Sequence, residues 1–251
     1  MKRRPAWPSR KPRRVTPVNC DYKMLSNLSA PRIALIHATA LAMAPIQSAF
    51  KRHWPEARCM NLLDDSLSLD LSDAGSLQPD MVRRFVDLAQ YSKRAGCDGI
   101  LFTCSAFGPA IEVAAQAVGL PTLKPNEAMF GEALARSPVS GAKLGLIATF
   151  AASIPSMSAE FQAMAQALGR DVELLAEFVP EAMQDLAAGR ADMHHQKIAA
   201  AARKLKACDL VMLAQFSMAS AQTGVQSELD CPVLSSPDCA VLAIRKRIQD
   251  V

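Results

Sequence analysis

Three short segments of this chain recur at one fixed separation. Arg32-Ile-Ala-Leu-Ile36 returns as Lys143-Leu-Gly-Leu-Ile147, Cys97-Asp98 as Cys208-Asp209, and Leu120-Pro-Thr-Leu123 as Cys231-Pro-Val-Leu234, each displaced by 111 residues. Chance likenesses would scatter in offset, so three coincident ones imply a duplication, and the period is too long for a solenoid. The repeat predicts an α/β chain of two similar lobes, residues 32–138 and 139–251, related by a pseudo-twofold axis with a cleft between them. A basic tail, residues 1–31, precedes them and is expected to be disordered, being rich in Pro, Arg and Ser without apolar periodicity.

Within each lobe, apolar β-branched runs alternate with Ala-rich stretches of helical spacing, the pattern of parallel strands covered by helices. The stronger strands are expected at 32–37, 99–103, 143–148 and 210–214, with shorter ones near 59–62, 121–123, 172–175 and 232–234. Helices are expected at 44–51, 79–95, 108–118, 127–135, 156–168, 193–206 and 239–248. In open parallel sheets, ligands bind beyond the carboxyl ends of the strands, where the amides of the next helix point outward. Cys104 and Gln215 occupy equivalent positions at such ends.

Composition narrows the function classes. The chain holds 28 Lys and Arg, but Lys2, Arg3, Arg4, Arg10, Lys11, Arg13 and Arg14 lie in the first fourteen residues, which leaves 21 against 24 acids. The body is mildly acidic, about −3, and carries no basic patch with aromatics or a recognition helix, so no nucleic-acid partner is expected. The most apolar stretch, 33–46, is short and holds His37, Thr39 and Pro45, so no membrane span is expected. Polar residues break the segment after the basic tail, which argues against an export signal and for the cytoplasm. Seven cysteines, an odd number with no C-x-x-C pair, argue against disulfides and a structural zinc site. No phosphate-binding glycine motif is present.

A thiol at a strand end, just before a helix, can have its anion favoured by the helix terminus and an anionic ligand held beside it. Cys104 fits that description, and so does the plainer role of a buried core cysteine. The segment 99–108, with Thr103-Cys104-Ser105 closing a strand, resembles the first active-site cysteine segment of the aspartate/glutamate/hydantoin racemase-like superfamily, which also contains arylmalonate decarboxylase-like and maleate isomerase-like members. The duplicated lobes, the opening strand to Thr39, the Gly145-Leu-Ile-Ala-Thr149 strand and the segment 213–219 are similar to it as well, over about residues 32–248.

That resemblance implies a cofactor-independent, metal-free racemase or isomerase acting on a small carboxylate at the carbon next to it. In such enzymes two cysteines face opposite sides of the substrate Cα, and amides and hydroxyls hold the enediolate. Carried over, Cys104 is the first acid/base, Ser105 and the Ala106 amide form the carboxylate-holding turn, and Thr149 or Ser217 supplies a hydroxyl from the other lobe. The second cysteine is missing: Gln215 stands in its place, able to orient a carboxylate or amide but not to carry a proton near neutrality. Cys208, at the far end of its strand, is expected to lie away from the cleft.

Three readings follow. The first is a racemase-like isomerase, with His37 either a second proton carrier or a histidine capping its strand. The second is a single-cysteine decarboxylase of a malonate-type diacid. The third is a non-catalytic protein that binds small carboxylates. A homo-oligomer is expected on general grounds. His194 and His195, adjacent on a helix and so on different faces, read as surface residues rather than a metal pair. Glu127 and Asp238 read as helix-start caps. Met157, Met164, Met183, Met193, Met212 and Met218 read as core filler.

Overall fold

The structure is a computed structural model that describes residues 30–137 and 140–250, so the tail up to residue 29 lies outside the described residues. The first half runs β1 (Arg32–His37), α1 (Met43–His53), β2 (Arg58–Leu63), α2 (Ser66–Ala74), α3 (Pro79–Arg94), β3 (Gly99–Phe102), α4 (Gly108–Val118), β4 (Thr122–Leu123) and α5 (Glu127–Arg136). The second half repeats the order as β5 (Ser140–Ala148), α6 (Ile154–Ala167), β6 (Asp171–Phe178), α7 (Ala182–Ala187), α8 (Ala191–Ala202), β7 (Leu210–Leu213), α9 (Gln222–Gln226), β8 (Val233–Ser235) and α10 (Ser236–Gln249). Two four-stranded parallel sheets result, ordered β2-β1-β3-β4 and β6-β5-β7-β8. The fold is α/β, with helices flanking both sheets.

Register carries the duplication down to single residues. Ile33 pairs with Gly99 and Leu144 with Leu210; Ile100 pairs with Thr122 and Val211 with Val233. The repeated Cys-Asp pair explains how the central strands are aligned. The Asp98 carboxylate accepts the Arg32 amide at 2.7 Å, and Asp209 accepts that of Lys143 at 2.8 Å. Each aspartate thereby accepts an amide of the neighbouring central strand, that of Arg32 at the start of β1 and that of Lys143 within β5. Cys97 and Cys208 sit buried beside them, at the opposite sheet end from Cys104 and Gln215.

Strands β1, β3 and β7 are buried on both faces, as continuous apolar runs require, whereas the edge strand β6 alternates between exposed and half-buried residues. One face of the first sheet carries α2, α3 and α4, with Phe85 of α3 against Phe102 at 5.4 Å and Phe107 at 4.9 Å between ring centroids. That aromatic stack brackets Thr103 and Cys104 and fixes the turn they belong to.

The other faces are covered by exchange. The apolar side of α5 (Met129, Phe130, Ala133, Leu134) packs with Leu144, Leu146, Leu210 and Met212 of the second sheet. In return, α10 (Ala240, Val241, Ile244) packs with Ile33, Leu35 and Leu101 of the first. A Cβ on Gly99 would stand 2.6 Å from the terminal methyl of Ile248 of α10, so glycine there lets that side chain pack without shifting.

Glu127 and Asp238 do not cap their helices. The capping positions belong to Asn126 and Ser235, and the two acids instead bridge the exchange, Glu127 to Arg247, and Asp238 to Arg52 at 2.6 Å and His53 at 2.9 Å. Among the described residues no helix is long and apolar enough to cross a membrane.

Candidate active site

The carboxyl ends of the central strands open on a cavity of about 320 Å³, large enough for a small organic acid. Cys104, Ser105 and Ala106 form its wall from the first half, and Gln215 and Ser217 its wall from the second. Cys104 follows β3 directly and precedes the short turn 105–107 that runs into α4. The first amides of such a turn have no carbonyl one turn behind them, so those of Ser105 and Ala106 are available to an anion.

The Cys104 thiol is only 6 % exposed, and its Sγ lies 3.5 Å from the Ile36 carbonyl oxygen, to which S–H can donate. Burial pushes its pKa up to about 12, because little water remains to solvate a thiolate. The nearby Ala38 amide works in the opposite direction. The resting thiol is therefore held in its neutral form.

His37 stands behind this wall rather than on it. Its Nε2 is 3.0 Å from the Asn61 Oδ1, which can only accept, so Nε2 carries the proton and Nδ1 accepts from the Thr103 hydroxyl at 2.8 Å. Burial holds the imidazole below its ordinary pKa, with the Asn61 hydrogen bond opposing. His37 and Cys104 thus share Thr103 and lie on the same side of the cavity. No opposed proton carrier is formed by this pair.

The second half repeats the arrangement with different chemistry. The Thr149 amide donates to the Gln215 Oε1 at 2.7 Å, and the Gln215 Nε2 donates to the Ser153 hydroxyl at 2.8 Å. Ala38 and Thr149 are equivalent across the repeat, as are Cys104 and Gln215, so the amide that faces a sulfur in one half faces an amide oxygen in the other. Gln215 presents a fixed polar surface, with both ends of its side chain held. Thr149 is 3 % exposed and reaches the cavity only through Gln215, its hydroxyl lying 3.2 Å from Oε1.

Two short helices missing from the sequence-based expectation complete the walls. α2 contributes Ser68 and Leu69, with Asp65 just before it, and α7 contributes Met183, Gln184 and Ala187. Each follows an edge strand, and each is tied to the next helix. Arg84 of α3 bonds Asp64 at 2.8 Å and Asp70 at 2.5 Å; burial alone would raise the Asp64 carboxyl, but Arg84 holds it below its ordinary value. In the second half the His194 Nδ1 donates to the Ala182 carbonyl at 2.8 Å, and Lys197 meets Asp185 at 2.6 Å. His194 is therefore not a surface residue. It shares the buried face of α8 with Ile198 and Ala201, while His195 turns outward to Ser220 at 2.9 Å. Among the described residues no group of three or more His, Cys, Asp or Glu is arranged to hold a metal ion.

The family model described as Asp/Glu/Hydantoin racemase matches residues 33–244. The chain belongs to this family. No curated protein matches it. Among solved structures, a glutamate racemase isoform from Bacillus anthracis is similar at a TM-score of 0.71 and 16% identity, over 88% of this chain and 83% of that one. Allantoin racemase from Klebsiella pneumoniae is similar at 0.66 and 14%, over 87% and 88%. An aspartate racemase homologue from Pyrococcus horikoshii OT3 is similar at 0.61 and 15%, over 87% and 99%. At such identities these likenesses speak for the racemase fold alone.

Of the residues singled out in the sequence, Cys104, Ser105, Ala106, Gln215 and Ser217 meet at one cavity of this racemase-family chain, and Thr149 and His37 stand one layer behind. Thr103, Thr39 and Phe150 also line it. Thr103 could have been found by its place beside Cys104, and Thr39 by its place just past the end of β1. The methionines divide: Met157, Met212 and Met218 are core, Met164 packs against it, Met183 faces the cavity, and Met193 is 45% exposed.

Proposed function

We propose that the chain is a cofactor-independent, racemase-like enzyme acting at the carbon next to a carboxylate, with Cys104 as its acid/base. The observation that carries this reading is a lone thiol at the cavity wall, at a strand end directly before the Ser105 and Ala106 amides. In the forward step the ionised fraction of the thiol, its own proton having passed to water, takes the Cα proton: the C–H bond breaks, its electron pair moves toward the carboxylate as an enediolate, and S–H forms. Return of that proton from S–H to the same face gives exchange with retention; inversion takes a proton from water on the Gln215 side, and the hydroxide so formed is neutralised by the S–H proton, which restores the thiolate. The amides of Ser105 and Ala106, with the hydroxyls of Ser105 and Ser217, supply hydrogen bonds for the enediolate.

One observation favours a second reading. Gln215 holds the place opposite Cys104 and cannot move a proton near neutrality. A substituted malonate needs no base on that face. Its Cα–carboxylate bond breaks, carbon dioxide leaves, the electron pair remains as an enediolate, and the resting thiol protonates Cα from one side.

Amino acids, hydantoins and substituted malonates incubated with the enzyme in D2O separate the two. Deuterium entering Cα with loss of optical activity is racemisation. Carbon dioxide release with a single-handed deuterated product is decarboxylation. If no compound gains deuterium while one raises the melting temperature, both catalytic readings fail and a binding protein remains.

A further inference from the structure

From the cavity walls we infer that the substrate carries a bulky apolar group on its reacting carbon and no charge at the far end of that group. The inference rests on this cavity being the reaction site. Beyond the polar floor formed by Cys104, Ser105 and Gln215, the remaining space is bounded chiefly by Leu41, Leu69, Ala106, Phe107, Phe150 and Met183. Such walls gain by displacing water onto an apolar ligand, and the polar groups set among them, Thr39, Ser68 and Gln184, carry no charge to offset that of a charged side-chain end.

Among the described residues lining the cavity, Asp65 alone has a formal charge, and its sign opposes a second carboxylate. A neighbouring cavity, which shares Leu41 and Ser217 with this one, does contain a cation, Arg52, but that guanidinium is bound to Asp238 at 2.6 Å.

Leu69 lines the cavity with its side chain 67% exposed, so an apolar group seated there would cover it. It comes from α2, and Met183 comes from α7, so the two halves each place an apolar side chain on this wall.

Isothermal titration of the full chain with matched acids tests the inference: 2-phenylpropanoate against 2-methylsuccinate, and phenylalanine against glutamate. The expected result is at least about tenfold tighter binding of the aromatic member of each pair. Leu69→Arg, at a position exposed enough to accept charge without unfolding, is expected to narrow that gap by about tenfold at an unchanged melting temperature. Equal or tighter binding of the diacids, no binding of either aromatic acid at millimolar concentration, or an unchanged gap in Leu69→Arg would each overturn it. An aromatic acid that binds but gains no deuterium upholds the substrate class and removes the catalytic reading. Exchange on glutamate, with tight binding, does the reverse.

Discussion

At position 104 a thiol sits among groups that pull in opposite directions. Burial favours the neutral form strongly enough to bring the pKa up to about 12, while the Ala38 amide favours the anion. Burial wins, so only a small fraction of the thiol is ionised near neutrality, and each thiolate that does form is a strong base. Deuterium exchange into Cα should accordingly rise about tenfold per pH unit between about pH 7 and 9, the slope of a group titrating far above that range. A rate profile recorded in buffered D2O checks this; a plateau in that window would mean that the thiolate is already formed. The cysteine itself was legible in the sequence because it ends an apolar run before a helix. The donor was not, since Ala38 acts through its backbone and any residue type could have supplied that amide. Gln215 was legible as a missing thiol, but its engagement with Thr149 and Ser153 depends on side-chain placement that no spacing reveals.

Among the elements, the exchange of α5 and α10 has consequences that chain order alone would not suggest. A chain ending at Ser235 lacks α10, which follows β8 but covers β1 and β3. Amide hydrogen exchange on that truncation is expected to show lost protection first at Ile33, Leu35 and Leu101 of the first sheet; first loss in β7 would contradict the packing described. The exchange was invisible in the sequence because an amphipathic helix states that it has an apolar face, not which sheet the face meets. The helices α2 and α7 were missed for another reason: with nine and six residues they give too few turns for periodicity to register. Yet α7 carries part of the cavity wall, and His194 holds it. In His194→Ala the buried Ala182 carbonyl loses its donor, at a cost of about 1–3 kcal/mol. Urea unfolding should report that loss, and hydrogen exchange should locate it at 182–187. Unchanged protection there would show that α7 is held through Asp185, which meets Lys197 at 2.6 Å and Arg190 at 2.7 Å.

For the molecule as a whole, buried neutral groups set the pH range of stability. Burial raises the thiols of Cys59, Cys208 and Cys239 to about 11 and that of Cys104 to about 12, from 9.0. Above about pH 9 the unfolded chain ionises first, the folded state binds more protons, and stability falls as pH rises toward those values. His37 and His194 have pKa values below 6.5, chiefly through burial, so below that pH the unfolded chain takes up protons first and stability falls again. Thermal unfolding across the pH range should therefore show a plateau between about 6.5 and 9 with a decline on each side; stability rising above pH 9 would mean that the thiols are not buried as described. The duplicated α/β plan behind this was readable from three short repeats, because register, strand order and the strand-anchoring aspartates all follow the same displacement. The account rests most heavily on Cys104 as the proton carrier, and Cα deuterium exchange with wild type and Cys104→Ser on one bound acid tests it most directly. The predicted result is a fall of about 10²- to 10⁴-fold in the exchange rate with the acid still bound. Exchange at the wild-type rate in Cys104→Ser would contradict it.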